Sequence, residues 1–199
     1  TQIVGPGLDA STGTGVTNIG FDFFLMSNRF SQFSVQDDGL MQLGGTTVGT
    51  NTYTITGGTL TAPRLAAFNA DMRTGATTGK IHYKLVGSAP NRCLVVEFKD
   101  MWVFYTATGG TGTSTWQMRL YETSGVIEYV YGAMNANDIA SLNKSPSIGF
   151  YTGSATNSFA SVAYATNTSS VTATYAANPA VAATGPITNL NSAADGSRR

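Results

Sequence analysis

The sequence predicts an all-β fold: a two-sheet antiparallel β-sandwich, jelly-roll-like, with extended N- and C-terminal arms. Three observations lead there. About ten short runs of alternating or continuous apolar residues recur at near-regular spacing. Gly, Thr, Asn and Ser separate them, and almost nothing carries the 3.6-residue period of a helix. The 199 residues suit one core of this class. The division expected is an extended arm over 1–16, the sandwich over 17–175 and a polar tail or linker over 176–199.

Taken in order, Thr1 to Val16 is rich in Gly, Thr and Ser and reads as an arm leading into the first strand. Ile19, Phe21, Phe23 and Leu25 alternate with Asn18, Gly20 and Asp22, with Phe24 breaking the polar face. Phe33 and Val35, then Met41 and Leu43, flank Gln36-Asp37-Asp38-Gly39, whose residues suit a turn. Tyr53 and Ile55 alternate with Thr52, Thr54 and Thr56 as another short strand. Ala62 to Arg73 reads as one buried strand, because Pro63 and the Gly/Thr loop after Arg73 leave little room for a helix. Ile81, Tyr83 and Leu85 face inward, which puts His82 with Lys80 and Lys84 on a cationic, solvated face.

The longest apolar run, Arg92 to Tyr105, sets Leu94, Val96, Phe98, Trp102 and Phe104 on one parity. Asp100 interrupts that parity and marks a bulge or an edge. Trp116 to Gly132 reads as a hairpin with Ser124-Gly125 as a two-residue turn. That register sets Glu122 opposite Ile127, Leu120 opposite Tyr129 and Met118 opposite Tyr131. Arg119 and Glu128 are then diagonal neighbours on the outer face. Ala133 to Pro146 is the other helix candidate, and Ile148 to Tyr151, Phe159 to Ala165 and Val171 to Tyr175 supply three further strands.

Charged residues make up 11% of the chain, against about 25% in typical soluble domains. Net charge is zero and Arg and Lys are scattered, which argues against nucleic acid as a partner. A neutral surface lacks self-repulsion, so association with copies of itself costs less. Cys93 is the only cysteine. It excludes an intrachain disulfide and reads as a small buried hydrophobe. There is no membrane-length apolar run, and a chain beginning Thr1-Gln-Ile-Val fits a processed, secreted product found outside the cell or on its surface.

Little of the usual chemistry is encoded. His82 is the only imidazole, and no Gly-x-Ser-x-Gly motif accompanies it. Glu97, Glu122 and Glu128 are the strand carboxylates a glycosidase would need, but they are not clustered on one strand. The expectation is a protein that is not an enzyme. No phosphate loop or dinucleotide fingerprint points to a cofactor. Calcium is the one ion that the oxygen-rich turns at Asp37 and Asp38, or at Asn135, Asn137 and Asp138, would suit, though acidic and Asn-rich turns form readily without metal. Sugars are recognised by aromatic faces, and Trp102, Tyr105, Tyr121 and Tyr151 are the candidates near strand ends or on the less apolar face.

Residues 19–23 (Ile-Gly-Phe-Asp-Phe), 32–44, 91–100 and 117–132 resemble a β-sandwich module of secreted and cell-surface proteins of Bacteroidetes, often found beside fibronectin type III repeats. A weaker similarity runs to nidogen-like domains through Phe-Ser-Val-x-x-x-Gly-Leu and Ala67-Phe-Asn-Ala-Asp71. The resemblance implies an extracellular, non-catalytic structural or adhesive role and brings no ligand site with it. Other subunits or domains, copies of this chain and polysaccharide are therefore the partners to weigh. Self-assembly would use the terminal arms, by strand addition to a neighbour's sheet edge, with docking over its own sandwich as the rival fate of an arm.

Overall fold

The computed structural model describes residues 1–9, 13–49, 62–103, 113–134 and 148–152 in full, and the backbone of 147, 160–164 and 183–184. Among these residues there is no helix, and two sheets pack face to face. The strands are β1 (Gln2–Val4), β2 (Thr17–Leu25), β3 (Asn28–Gln36), β4 (Leu40–Leu43), β5 (Arg64–Asn69), β6 (Met72–Thr74), β7 (Lys80–Val86), β8 (Cys93–Val103), β9 (Ser114–Tyr121), β10 (Ile127–Tyr131), β11 (Ser147–Tyr151), β12 (Ala160–Tyr164) and β13 (Ala183–Thr184). One sheet runs β1-β7-β8-β9-β10, with β6 also paired to β8; the other runs β13-β12-β11-β5-β4-β3-β2. All pairings are antiparallel except β12 with β13.

Alternation decides what lies between the sheets. In β2 the odd residues Ile19, Phe21, Phe23 and Leu25 are buried and Phe24 is exposed, as the pattern predicts. The core is aromatic: Trp116 stacks on Phe98 at 5.2 Å between ring centroids, Phe68 tilts against Trp116, and Phe33 meets Tyr83 edge-on. Cys93 is buried, as expected of a small hydrophobe.

Several expectations are corrected. The segment from Ala62 to Arg73 is not one strand but two, and they belong to opposite sheets. The chain crosses at Ala70-Asp71, where the β3–β4 turn takes over its backbone: Ala70 N–H donates to the Asp38 carbonyl and Met72 N–H to Asp38 Oδ1. The β9–β10 hairpin is paired two residues away from the expected register, with Ile127 opposite Leu120 and Tyr131 opposite Trp116. Its loop is longer than Ser124-Gly125 because Glu122 leaves the ladder for Arg92, while Tyr121 N–H bonds to the Val126 carbonyl. A shift of two keeps every side chain on its expected face. It also brings Arg119 directly opposite Glu128 rather than diagonal to it.

Thr1 to Leu8 takes the intramolecular course. Gln2 pairs with His82, the Thr1 amino group donates to the Tyr83 carbonyl at 2.7 Å, and Gly7 and Leu8 bond to Gly75 and Thr74. In the expected polar tail, Ala183 and Thr184 pair with β12. The expected strands at 52–56 and 171–175 and the helix candidate at 133–146 lie wholly or mostly outside the described residues.

Candidate functional site

The outward face of the six-stranded sheet carries a continuous polar construction that is open to solvent. Ile81, Leu94, Val96, Phe98, Trp116, Met118 and Leu120 belong to the core, so their neighbours on β7, β8 and β9 must point away from it. The register then lines up His82, Glu97 and Gln117 in one row and Lys84, Val95, Arg119 and Glu128 in the next. Across these rows runs an unbroken chain of hydrogen bonds. His82 Nε2 lies 2.6 Å from Glu97 Oε2, and Gln117 Nε2 donates to Glu97 Oε1 at 2.7 Å. Arg119 donates twice to Gln117 Oε1, at 2.9 and 2.7 Å, and once to Glu128 Oε2 at 3.2 Å. The Tyr121 hydroxyl closes the chain on Glu128 Oε2 at 2.8 Å. Four strands are thus tied together by planar polar groups, each orienting the next.

All of these groups but Glu128 line a groove of about 500 Å³, together with Lys84, Val86, Cys93 and Val95. Their side chains are half-buried, so they are fixed yet open to a ligand from outside. The bond to Glu128, aided by burial, raises the Tyr121 hydroxyl above its ordinary pKa, and burial raises the Cys93 thiol, which makes that thiol less reactive.

Each of the strand carboxylates is engaged by neighbouring side chains. Glu97 is held by His82 and Gln117, and Glu128 by Arg119 and Tyr121. Glu122 is gripped by Arg92, whose hydrogen bonds hold its carboxyl below the usual range, the opposite of what a general acid needs. The expectation of a purely cationic face around His82 is corrected by Glu97, which the adjoining strand supplies directly opposite.

Trp102 is also displaced from its expected parity. Phe98 pairs with Trp116 but Met101 with Ser114, so β8 carries one extra residue between them, and Asp100 there has φ of 52°. Beyond this bulge Met101 and Val103 are buried, and Trp102 turns out onto the same face as Glu97. The Arg73 guanidinium lies 5.4 Å from its ring centroid. Trp102 and Tyr121 therefore mark opposite ends of one face. Tyr151 is not with them, being buried opposite Arg64 in the other sheet. Tyr105, Asn135, Asn137 and Asp138 lie outside the described residues.

Asp37 and Asp38 are buried rather than presented to solvent. The two Asp38 oxygens are already taken, Oδ1 by Met72 N–H and Oδ2 by Gln36 Nε2, both at 3.0 Å. Among the described residues no three His, Cys, Asp or Glu side chains are grouped as a metal site would need. Burial, with Asp37, Asp71 and Asp9 nearby, pushes the Asp38 carboxyl up to about 7 against the pull of Met72 N–H.

A NIDO-related family model matches residues 2–191. The chain belongs to the NIDO-related family. That match spans both sheets and agrees with the weaker of the two resemblances read from the sequence, the nidogen-like one. No curated protein and no solved structure matches the chain. No helix among the described residues is long and apolar enough to cross a membrane.

The ladder escaped the sequence because its members come from four strands and meet only once strand order is known. One signal was available: the outward parities of β7, β8 and β9 carry His82, Glu97, Gln117 and Arg119, an unusual run of groups that can each bond two partners.

Proposed function

We propose that this chain is a non-catalytic, extracellular adhesive module of a multidomain bacterial surface protein, and that it recognises carbohydrate through the outer face of its six-stranded sheet. The observation that carries this reading is the ladder from His82 to Tyr121, which lines a groove with oriented donors and acceptors. Sugar hydroxyls need such paired donors and acceptors, and Tyr121 offers ring surface at one end of the groove. The test is binding of the purified chain to a broad glycan array. Tyr121→Ala should lower affinity about tenfold, the loss of one good stacking and hydrogen-bonding contact. Unchanged affinity in that variant, or no glycan bound at all, would refute the proposal.

A self-assembling subunit is the second reading, favoured by one observation. Among the described residues no strand pairs with the far side of β10, and Tyr129, Tyr131 and Ile148 line an open hollow of about 550 Å³ beside it. An extended segment of another copy could add there. Light scattering on the native protein decides this, a monomer at all concentrations excluding it. The N-terminal arm is a poor donor, since its first residues already pair with β7.

A further inference from the structure

Resting on the carbohydrate reading, we infer that the ligand is an acidic polysaccharide, bearing carboxylate or sulfate groups, held by Lys80, Lys99 and Lys84 on that same face. Lys80 and Lys99 are direct partners across β7 and β8, with their side chains on the outward parity. Like charges directly opposite one another repel. A sheet normally avoids the pair or places a carboxylate between. Here, among the described residues, none of the three lysines makes an ion pair or a side-chain hydrogen bond.

The imbalance extends over the face. Arg73, Lys80, Lys84, Lys99 and Arg119 stand against Glu97, Glu128 and, at the bulge, Asp100, although the 11 basic and 11 acidic residues of the whole chain cancel. Glu97 and Glu128 are already engaged by His82 and Arg119, so they do not answer the lysines.

Spacing favours a chain of anions over a single small one. Adjacent strands lie about 5 Å apart, so Lys80 and Lys99 can share one carboxylate or sulfate. Lys84 is four residues further along β7, about 13 Å away, with His82 between them. A ligand touching both ends must be extended and must repeat its charge. Lys84 and His82 line the groove and the Lys80–Lys99 pair lies outside it along the same strands, so the ligand runs out of the groove onto that pair, a path that a flat anionic bilayer would not follow.

The test compares the full chain with Lys80→Ala/Lys99→Ala and with Tyr121→Ala. The probes are polygalacturonate, dextran sulfate, neutral dextran and vesicles of phosphatidylserine with phosphatidylcholine. The lysine variant should unfold at the same or higher denaturant concentration, since it removes a repulsion. Expected is binding to polygalacturonate or dextran sulfate that weakens as salt rises and falls about tenfold in the lysine variant. Neutral dextran bound as tightly as the acidic polymers, with no lysine effect, would overturn this inference and leave the carbohydrate reading standing. Binding to vesicles but to no polysaccharide would overturn both, as would failure to bind any of the probes together with an empty glycan array.

Discussion

Neutralising Asp38 tests the way the two sheets are joined. Its side chain is 3% exposed and its carboxylate takes the Met72 N–H where the chain passes from β5 to β6. Burial lifts its pKa from 3.8 to about 7. The folded state therefore holds a proton that the unfolded chain has already lost, and stability falls as pH rises between those two values. Each unit is worth 1.36 kcal/mol, so the whole shift amounts to about 4 kcal/mol, an upper figure if water reaches the turn. Asp38→Asn keeps an oxygen for Met72 N–H but cannot ionise. Near pH 4.5 it should be less stable than the native chain by about 1–2 kcal/mol, because its amide meets the Gln36 amide that now donates to Oδ2. Near pH 7.5 the difference should have moved in favour of the variant by about 3–4 kcal/mol, leaving the variant at least as stable. Urea unfolding of both proteins at several pH values reads this, since titrating groups that do not interact with Asp38 cancel in the difference. A difference that stays constant across the range would refute the reasoning. Asp38 would then titrate as a hydrated carboxylate, and the turn would not be sealed between the sheets.

Two further substitutions probe the same joint and its counterpart. Gly39→Ala places a Cβ 1.8 Å from the Phe68 carbonyl oxygen at a residue with φ of 86°, so it should cost more than about 3 kcal/mol in denaturant unfolding, or prevent folding outright. Tyr129→Phe removes the hydroxyl that donates to the Gly149 carbonyl at 2.5 Å, a link from β10 to β11 across the two sheets. A loss of about 1–2 kcal/mol is expected, with faster hydrogen exchange at the β10 edge.

What could be read in advance was whatever depends on parity within one strand. The faces of β2, the β3–β4 hairpin and the inward residues of β9 follow from alternation alone, because large apolar side chains at every second position leave a strand one choice. What could not be read depends on events between strands. The break at Ala70-Asp71 has no local turn signature; it exists because Asp38, over thirty residues earlier, supplies its hydrogen bonds. The β9–β10 loop looked like a two-residue turn until Glu122 found Arg92. Tyr151 was a candidate as an aromatic near a strand end, yet it lies buried in the second sheet. Of the candidate site, Tyr121 was legible as an aromatic, and the groups that link it to His82 were not.

The extra residue in β8 explains why Trp102 and Tyr121 share a face at all. Without it, continuous alternation from Leu94 would carry Trp102 into the core and turn Met101 and Val103 to solvent, which is how the sequence reads. The bulge reverses parity at a single point and is fixed from both sides. Asp100 N–H donates to Thr115 Oγ1 on β9 at 3.1 Å, and Gly75 N–H donates to the Asp100 carbonyl at 2.9 Å. Gly75 has no room for a side chain there, since a Cβ would stand 2.6 Å from that carbonyl and 3.1 Å from the Trp102 indole nitrogen. Asp is among the few non-glycine residues that adopt the left-handed backbone this position needs. Core packing and the outer face thus draw on the same residue: the reversal that buries Met101 and Val103 is also what sets Trp102 outside, beyond Lys99, on the face that carries the polar ladder.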